Sequence, residues 1–297
     1  MIAGSGGPVD ADIGRVAERP IQIDQIDRAD STGRPAQVVL ITGASSGIGA
    51  ALAREFSRRG FALVLVARRL DRLTALRDDL TRTGSRALAV KADVTSEEEL
   101  AGAFQQAHRA FGRIDIVVAN AGFGVRGNFE QLTLDDYRRQ FETNVFGALR
   151  TISLGLEELK RSKGIAVLMG SVAGHVAVPK ISPYAMSKFA LRAFAESLRA
   201  ELAPSGVAVV LISPGLVESE FRRVDNRSVF HPEYNDPIPA WLQLSSGKAA
   251  RQMVRAILRR RGEAVITLHG KVAVWLKRHF PGLFSLVSRR MAMPSRW

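Results

Sequence analysis

From Val38 onward the chain alternates short, nearly unbroken apolar runs with longer stretches whose apolar residues recur every three or four positions. The runs are Val38 to Ile41, Phe61 to Ala67, Ala87 to Lys91, Ile114 to Ala119, Ile165 to Met169 and Val207 to Ile212. Runs this short and this apolar suit strands covered on both faces, as in a parallel sheet. Intervening segments such as Ala50 to Arg59 and Leu134 to Lys160 carry helical spacing. Strand, helix, strand, repeated, predicts a doubly wound parallel α/β sheet. A seventh strand is expected at Ala264 to Leu268 after a helix around Lys248 to Arg260, which makes 37–268 one catalytic domain. Phe221 to Ser246, rich in Pro and aromatics, reads as an insertion or lid within about 216–246. Residues 1–36, with Gly-Ser-Gly-Gly and Arg34-Pro35 but no sustained period, are expected to form a poorly ordered extension.

Composition removes several classes of function. With 297 residues, 46% hydrophobic and 24% charged, the chain is neither disordered throughout nor a disulfide scaffold. It has no cysteine, so thiol catalysis and thiolate metal sites are excluded, and a reducing compartment suits it. No apolar run approaches the roughly 18 residues of a membrane span, and Asp10, Asp12 and Glu18 stand where a leader would be basic and then apolar. A soluble cytoplasmic protein is expected. The net charge of +13 is concentrated at one end: from Lys248 to Trp297 there are twelve Lys/Arg and a single acid, Glu263. Within the basic 269–297 extension, Lys271 to Phe280 alternates basic and apolar residues around Trp275. Such a segment suits peripheral contact with an anionic membrane, and equally a cover for the substrate pocket or an oligomer contact. No nucleic acid partner is expected.

In a doubly wound sheet ligands bind beyond the carboxyl ends of the strands. The first turn there is Thr42-Gly43-Ala44-Ser45-Ser46-Gly47-Ile48-Gly49. Its three glycines permit a tight turn, close approach to a pyrophosphate and close packing of helix on strand, while the following helix N-terminus offers free N–H groups to the anion. This is a dinucleotide site of the Rossmann type. At the end of the second run, where an NAD site presents an acid to the ribose, stand Arg68 and Arg69. Their guanidinium groups suit the 2'-phosphate of NADP, unless one or both simply face solvent; NAD fits less well. Asp93, at the end of the third run, reads as a cap for the helix of Glu97-Glu98-Glu99, as an acceptor for the adenine amino group, or as both. Asn120-Ala121-Gly122 supplies a small, flat turn after the fourth.

Tyr184 and Lys188 lie four residues apart, on one helical face, and Ser171 ends the fifth run, facing the same crevice. A phenol ionises near about 10, and an adjacent ammonium favours phenolate, so Lys188 is expected to tune Tyr184 as a general acid or base. These residues, with TGASSGIG at 42–49, NAG at 120–122, Asn144 and Pro214-Gly215, resemble the short-chain dehydrogenase/reductases in their compact single-domain form, from about Val38 to Ser219. The resemblance implies an NADP(H)-dependent oxidoreductase in which Asn144, Ser171, Tyr184 and Lys188 are catalytic. It implies that Asn144 holds a water in a proton relay to Lys188 and that Lys188 bonds the nicotinamide ribose. It places Val94, beside Asp93, together with Pro214, Gly215 and Val217, along the cofactor. Ser219 replaces the family's frequent Thr, and Ala119 the first of a frequent Asn pair. Phe123, Val125, Leu216, Phe221, Tyr234 and Trp241 either line an apolar mouth suited to a lipid-, steroid- or ketoacyl-like carbonyl or alcohol, or are in good part ordinary core and lid packing. His175 and His231 read as polar rim residues, and no metal is expected. The family usually forms dimers or tetramers, so a homo-oligomer is implied. The alternative is a non-catalytic dinucleotide sensor using its basic tail for nucleic acid or membrane.

Overall fold

A computed structural model describes residues 36–292. The expected N-terminal extension, except its last residue, lies outside them, as does the end of the basic tail.

Seven parallel strands form one sheet: β1 (Val38–Thr42), β2 (Ala62–Ala67), β3 (Ala87–Lys91), β4 (Ile116–Ala119), β5 (Ile165–Met169), β6 (Ala208–Ser213) and β7 (Glu263–Val265), in the order β3-β2-β1-β4-β5-β6-β7. The first crossovers run outward from β1 to β3, and the chain then returns to add β4 on the other side of β1. The order reverses between β1 and β4, where Val39 pairs with Ile116, and that switch point opens the crevice for a ligand.

Two apolar cores follow from the period-two alternation of the strands. Val38 and Leu40 of β1, with Val64 and Val66 of β2, face α3 (Glu97–Phe111), α5 (Gly147–Ser162) and α6 (Ser182–Leu202). Val39 and Ile41, with Leu63 and Leu65, face α1 (Gly47–Ser57), α2 (Leu70–Arg82) and α7 (Ser246–Leu258). Because both faces are covered, the strands read as continuous apolar runs, and this is why the pattern is so plain in the sequence.

Two expectations change. The helix expected over Leu134–Lys160 is α4 (Leu134–Phe141) and α5 joined by a π-helical turn, Glu142–Phe146. The extra residue in that turn re-aims Asn144. The seventh strand starts and ends earlier than expected: Ile266 still donates to the Ser213 carbonyl at 3.2 Å, but the Thr267 hydroxyl accepts from Gly270 N–H and caps a new helix, α8 (Leu268–His279). The final helix, α9 (Pro281–Ala292), follows at once. Leu268, Val272, Trp275, Phe280, Leu283 and Leu286 on this pair are exposed. No helix among the described residues is long and apolar enough to cross a membrane. The lid region carries two short 3-10 turns, Glu220–Arg223 and Ala240–Leu242, and Val217 bridges to Leu244 at its base.

Candidate active site

The turn after β1 is built by close approaches that only glycine allows. Gly43 has φ of +67°, and a Cβ there would stand 2.8 Å from the Ala121 Cα; a Cβ on Gly49 would stand 2.2 Å from the Gly43 carbonyl oxygen. Thr42 and Asn120 lock the turns after β1 and β4 together. The Thr42 hydroxyl accepts from the N–H groups of Asn120 and Ala121 at 3.1 and 3.2 Å, while the Asn120 amide donates to the Thr42 carbonyl at 2.9 Å. Sequence reasoning gave Asn120 a place beside the cofactor; its side chain is the clamp that holds the phosphate turn in shape. Thr42, which does half of that work, drew no attention because an isolated Thr has no distinctive spacing.

Beyond β2, Arg68 and Arg69 have partners that the local sequence does not reveal. Arg69 donates to the hydroxyls of Ser45 and Ser46 at 3.1 and 2.8 Å, joining the glycine turn, and its burial draws its pKa below the ordinary arginine value. Arg68 donates to the Ser228 hydroxyl of the lid at 2.8 Å and stands 3.8 Å from Asp93. A third guanidinium, Arg72, holds Glu220 through contacts of 2.6 and 2.9 Å, with Arg69 at 3.6 Å. Gly47 meets the lid as well, a Cβ there coming within 3.2 Å of Ser219. Asp93 is not the helix cap: Ser96 takes the Glu99 N–H, and Asp93 instead closes a turn on Thr95 at 3.0 Å. Val94 is buried against Gly147.

Ser171 follows β5, and Tyr184 lies in the first turn of α6 with Pro183 setting the helix start. These elements bring Ser171, Tyr184 and Lys188 together: Ser171 is near enough to the phenol to favour its ionised form, and the Lys188 ammonium lies 5.7 Å from the centre of the Tyr184 ring. Lys188 is only 5% exposed and donates to the Met169 carbonyl at 2.7 Å. Burial lowers its pKa to about 8. The phenol moves the other way, because its own desolvation outweighs the lowering by Ser171, Arg126 and Arg222. Ser171 opposes that rise most, then Arg126 and Arg222, while the Lys188 ammonium is turned toward the backbone.

Asn144 does not touch Lys188. Its amide pairs with both backbone groups of Phe123, at 3.1 and 3.0 Å, and reaches the Ser187 hydroxyl at 3.3 Å. One turn earlier Gln140 accepts from Val125 N–H at 2.7 Å and donates to the Phe123 carbonyl at 2.8 Å. Two amides thus pin the segment after Asn120-Ala121-Gly122, and Gly122 must lack a Cβ because Asn144 lies 2.9 Å from where one would be. Gln140 was legible in principle as the i, i+4 partner of Asn144.

On the opposite wall, Pro214 accepts from Val172 N–H at 2.9 Å, tying the turn after β6 to Ser171. Leu216 N–H donates to His269 Nε2 at 2.9 Å, so α8 buttresses this turn, and Gly215 leaves room for Thr267 and His269 behind it. Phe221 packs on Tyr184 at a ring distance of 5.4 Å and forms the roof. Some mouth residues sit elsewhere: Phe123 and Val125 are buried within the pinned segment, and Trp241 is 84% exposed. His175 is not on the rim; it is buried against Ser213 and Glu263, at 3.0 and 3.1 Å. His231 lies between Asp225 and Glu233, which raise its pKa, in an ion-paired corner of the lid.

A dinucleotide fits these residues. Lys188 carries three N–H donors, and among the described residues only the Met169 carbonyl takes one. The unused donors of this buried ammonium suit ribose hydroxyls, the glycine turn leaves its backbone open to a pyrophosphate, and Arg68, Arg69 and Arg72 suit a phosphate at the end of β2.

Comparison with known proteins agrees with this geometry. Residues 37–229 match the family model described as short chain dehydrogenase. Over 185 residues, 62% of each chain, 40% of positions are identical to 11-beta-hydroxysteroid dehydrogenase-like 4A of Arabidopsis thaliana, so the chain spans 62% of that relative's length. Identity is 32% over 268 residues with 11-beta-hydroxysteroid dehydrogenase A of Sesamum indicum, covering 87% of this chain and 76% of that one. The solved structure of an alcohol dehydrogenase from the archaeon Thermococcus sibiricus, complexed with 5-hydroxy-NADP, is similar at a TM-score of 0.69 and 30% identity, covering 77% of this chain and 95% of that one. A short chain dehydrogenase/reductase from Burkholderia phymatum in complex with NAD shares the fold at 0.74 with 24% identity, covering 84% and 95%. A match of that extent, on a sheet whose carboxyl ends carry these groups, makes the chain a member of the short-chain dehydrogenase family.

Proposed function

We propose that this chain is an NADP(H)-dependent oxidoreductase that interconverts a carbonyl and an alcohol on a largely apolar substrate. The meeting of Ser171, Tyr184 and Lys188 in one crevice, beside a glycine turn fit for a pyrophosphate, carries the reading. When bound, the reduced nucleotide supplies a hydride, two electrons with a proton, to the carbonyl carbon. Ser171 donates a hydrogen bond to the carbonyl oxygen as negative charge gathers there, and Tyr184 delivers the proton that completes the alcohol; in oxidation Tyr184 removes it. Desolvation keeps the phenol protonated at neutral pH, the form that reduction requires. Lys188 orients the ribose, and Asn144, fixed to Phe123, is the group from which a water relay to Lys188 would start.

Three arginines at the end of β2 favour a 2'-phosphate over a bare ribose, and the Thermococcus neighbour is a complex with an NADP derivative. The names of the plant relatives, hydroxysteroid dehydrogenases, support an apolar substrate class. A steady-state screen of apolar ketones, aldehydes and 3-ketoacyl compounds with both nucleotides tests this. The expected result is reduction with a catalytic efficiency at least about tenfold higher for NADPH, the value of one charge-assisted hydrogen bond or more. Arg68→Asp should erode that preference. An NADH preference in the unaltered protein would overturn the cofactor assignment, and failure of every carbonyl to oxidise either nucleotide would overturn the enzymatic one.

A further inference from the structure

Arg126 belongs to the pinned segment that follows Phe123 to Val125, so its position is fixed by Gln140 and Asn144 through that segment. From the other side the lid grips its backbone: Asn226 accepts from Arg126 N–H at 2.9 Å and donates to its carbonyl at 2.8 Å. The half-buried guanidinium is carried to the roof of the site, 5.7 Å from the centre of the Phe221 ring, whose other neighbour is the Tyr184 ring. Its charge acts on the phenol.

What distinguishes Arg126 is its lack of a counter-ion. The neighbouring Arg222 is neutralised by Asp236 at 2.6 Å and also bonds Gln243 at 2.6 Å. Asp236 is saturated by Arg222, Ile238 N–H and the Gln243 amide. Among the described residues no carboxylate lies within 4.0 Å of Arg126, and its guanidinium donates no hydrogen bond. Other arginines close to the crevice, Arg68, Arg69 and Arg72, all have such partners. A guanidinium carries five donors in a planar fork that matches a carboxylate. The Phe221 ring gives the guanidinium a cation–π contact, but that leaves its N–H donors unused, and a rigid, partly desolvated charge in that state favours an arriving anion.

We infer that Arg126 selects among carbonyl substrates for those that carry a carboxylate beside the Phe221 ring, apart from the reacting carbon, so that the substrate is an oxo acid, or its hydroxy acid, with an apolar spacer. The inference rests on the carbonyl-reducing function proposed above and names the substrate class at that same site. The pairing is a bidentate charge-assisted contact, and the apolar walls hold the spacer.

The test uses the full chain with NADPH and a series of oxo-carboxylates in which carbonyl and acid are moved apart one carbon at a time, each beside its methyl ester. At the best spacing the acid should exceed its ester in kcat/KM by about 10- to 100-fold. Arg126→Gln should bring that acid-to-ester ratio close to one, and Arg126→Lys should restore part of it. Ester turnover by Arg126→Gln reports that the variant has folded, and the ratio in the unaltered protein stands whether or not it does. Esters turned over with no acid preferred at any spacing would overturn this inference and leave the carbonyl-reducing function intact. A ratio unchanged in Arg126→Gln would likewise overturn it, showing that Arg126 acts only on the phenol. If neither acids nor esters are reduced, the function itself fails and the inference with it.

Discussion

Tyr184→Phe should lower turnover by about 10² to 10⁴ while leaving the affinity for NADPH nearly unchanged. The substitution removes one oxygen. Ser171 then loses its phenolic neighbour but keeps the Ala173 N–H at 3.1 Å, so the wall of the site should hold its shape. Lys188 keeps its bond to the Met169 carbonyl, and the ring keeps its packing on Phe221. What disappears is the proton donor. Nucleotide binding, followed by NADPH fluorescence, separates this loss from misfolding. Undiminished turnover would refute the role given to the phenol.

Lys188→Met should move activity and stability in different ways. The ammonium is folded into an apolar setting that lowers its pKa from 10.5 to about 8. Between those two values the folded protein holds fewer protons on this group than the unfolded chain does, so stability rises with pH across that window. Below about pH 8 the cost of burying the charge is present in full. A shift of this size corresponds to about 3 kcal/mol. In Lys188→Met that pH-dependent contribution is absent. The stability difference between parent and variant should therefore shift toward the parent by up to about 3 kcal/mol between pH 8 and 10.5, as read from urea unfolding at a series of pH values. At neutral pH the variant gains by losing the buried charge and gives back part of that gain because the Met169 carbonyl loses its donor. Turnover should fall sharply throughout. Parallel stability profiles for the two proteins would contradict the burial of a charge at this position.

The sheet was readable because both of its faces are covered: Val38 to Thr42 and Ile165 to Met169 are buried at every position, and the one polar residue among them, Thr42, stands at the end of its run. The site groups that sit at strand ends or one helical turn apart, such as Gly43, Ser171, Tyr184 and Lys188, were readable for a similar reason, since spacing alone places them. The features that escaped are made by pairing across long stretches of chain. Arg72 meets Glu220 and Arg68 meets Ser228, and neither acid nor hydroxyl has any local mark that identifies its partner. The π-helical turn at Asn144 escaped because one inserted residue barely disturbs an apolar period over so long a helix. His175 looked like a rim residue because burial beside Glu263 depends on β7, which is only three residues long. Arg126 had no signal at all. Its meaning lies in the carboxylate that its surroundings lack.

The central claim is that a phenol, a hydroxyl and an ammonium converge on the reacting ring of a bound nucleotide. A crystal structure of the protein with NADP+ tests it most directly. The nicotinamide should lie between Tyr184 and the Pro214 to Val217 turn, with Ser171 beside it, Lys188 bonded to the ribose and the 2'-phosphate among Arg68, Arg69 and Arg72. A nucleotide bound away from Tyr184, or a lid that keeps Glu220 on Arg72 and shuts the phosphate out, would contradict it.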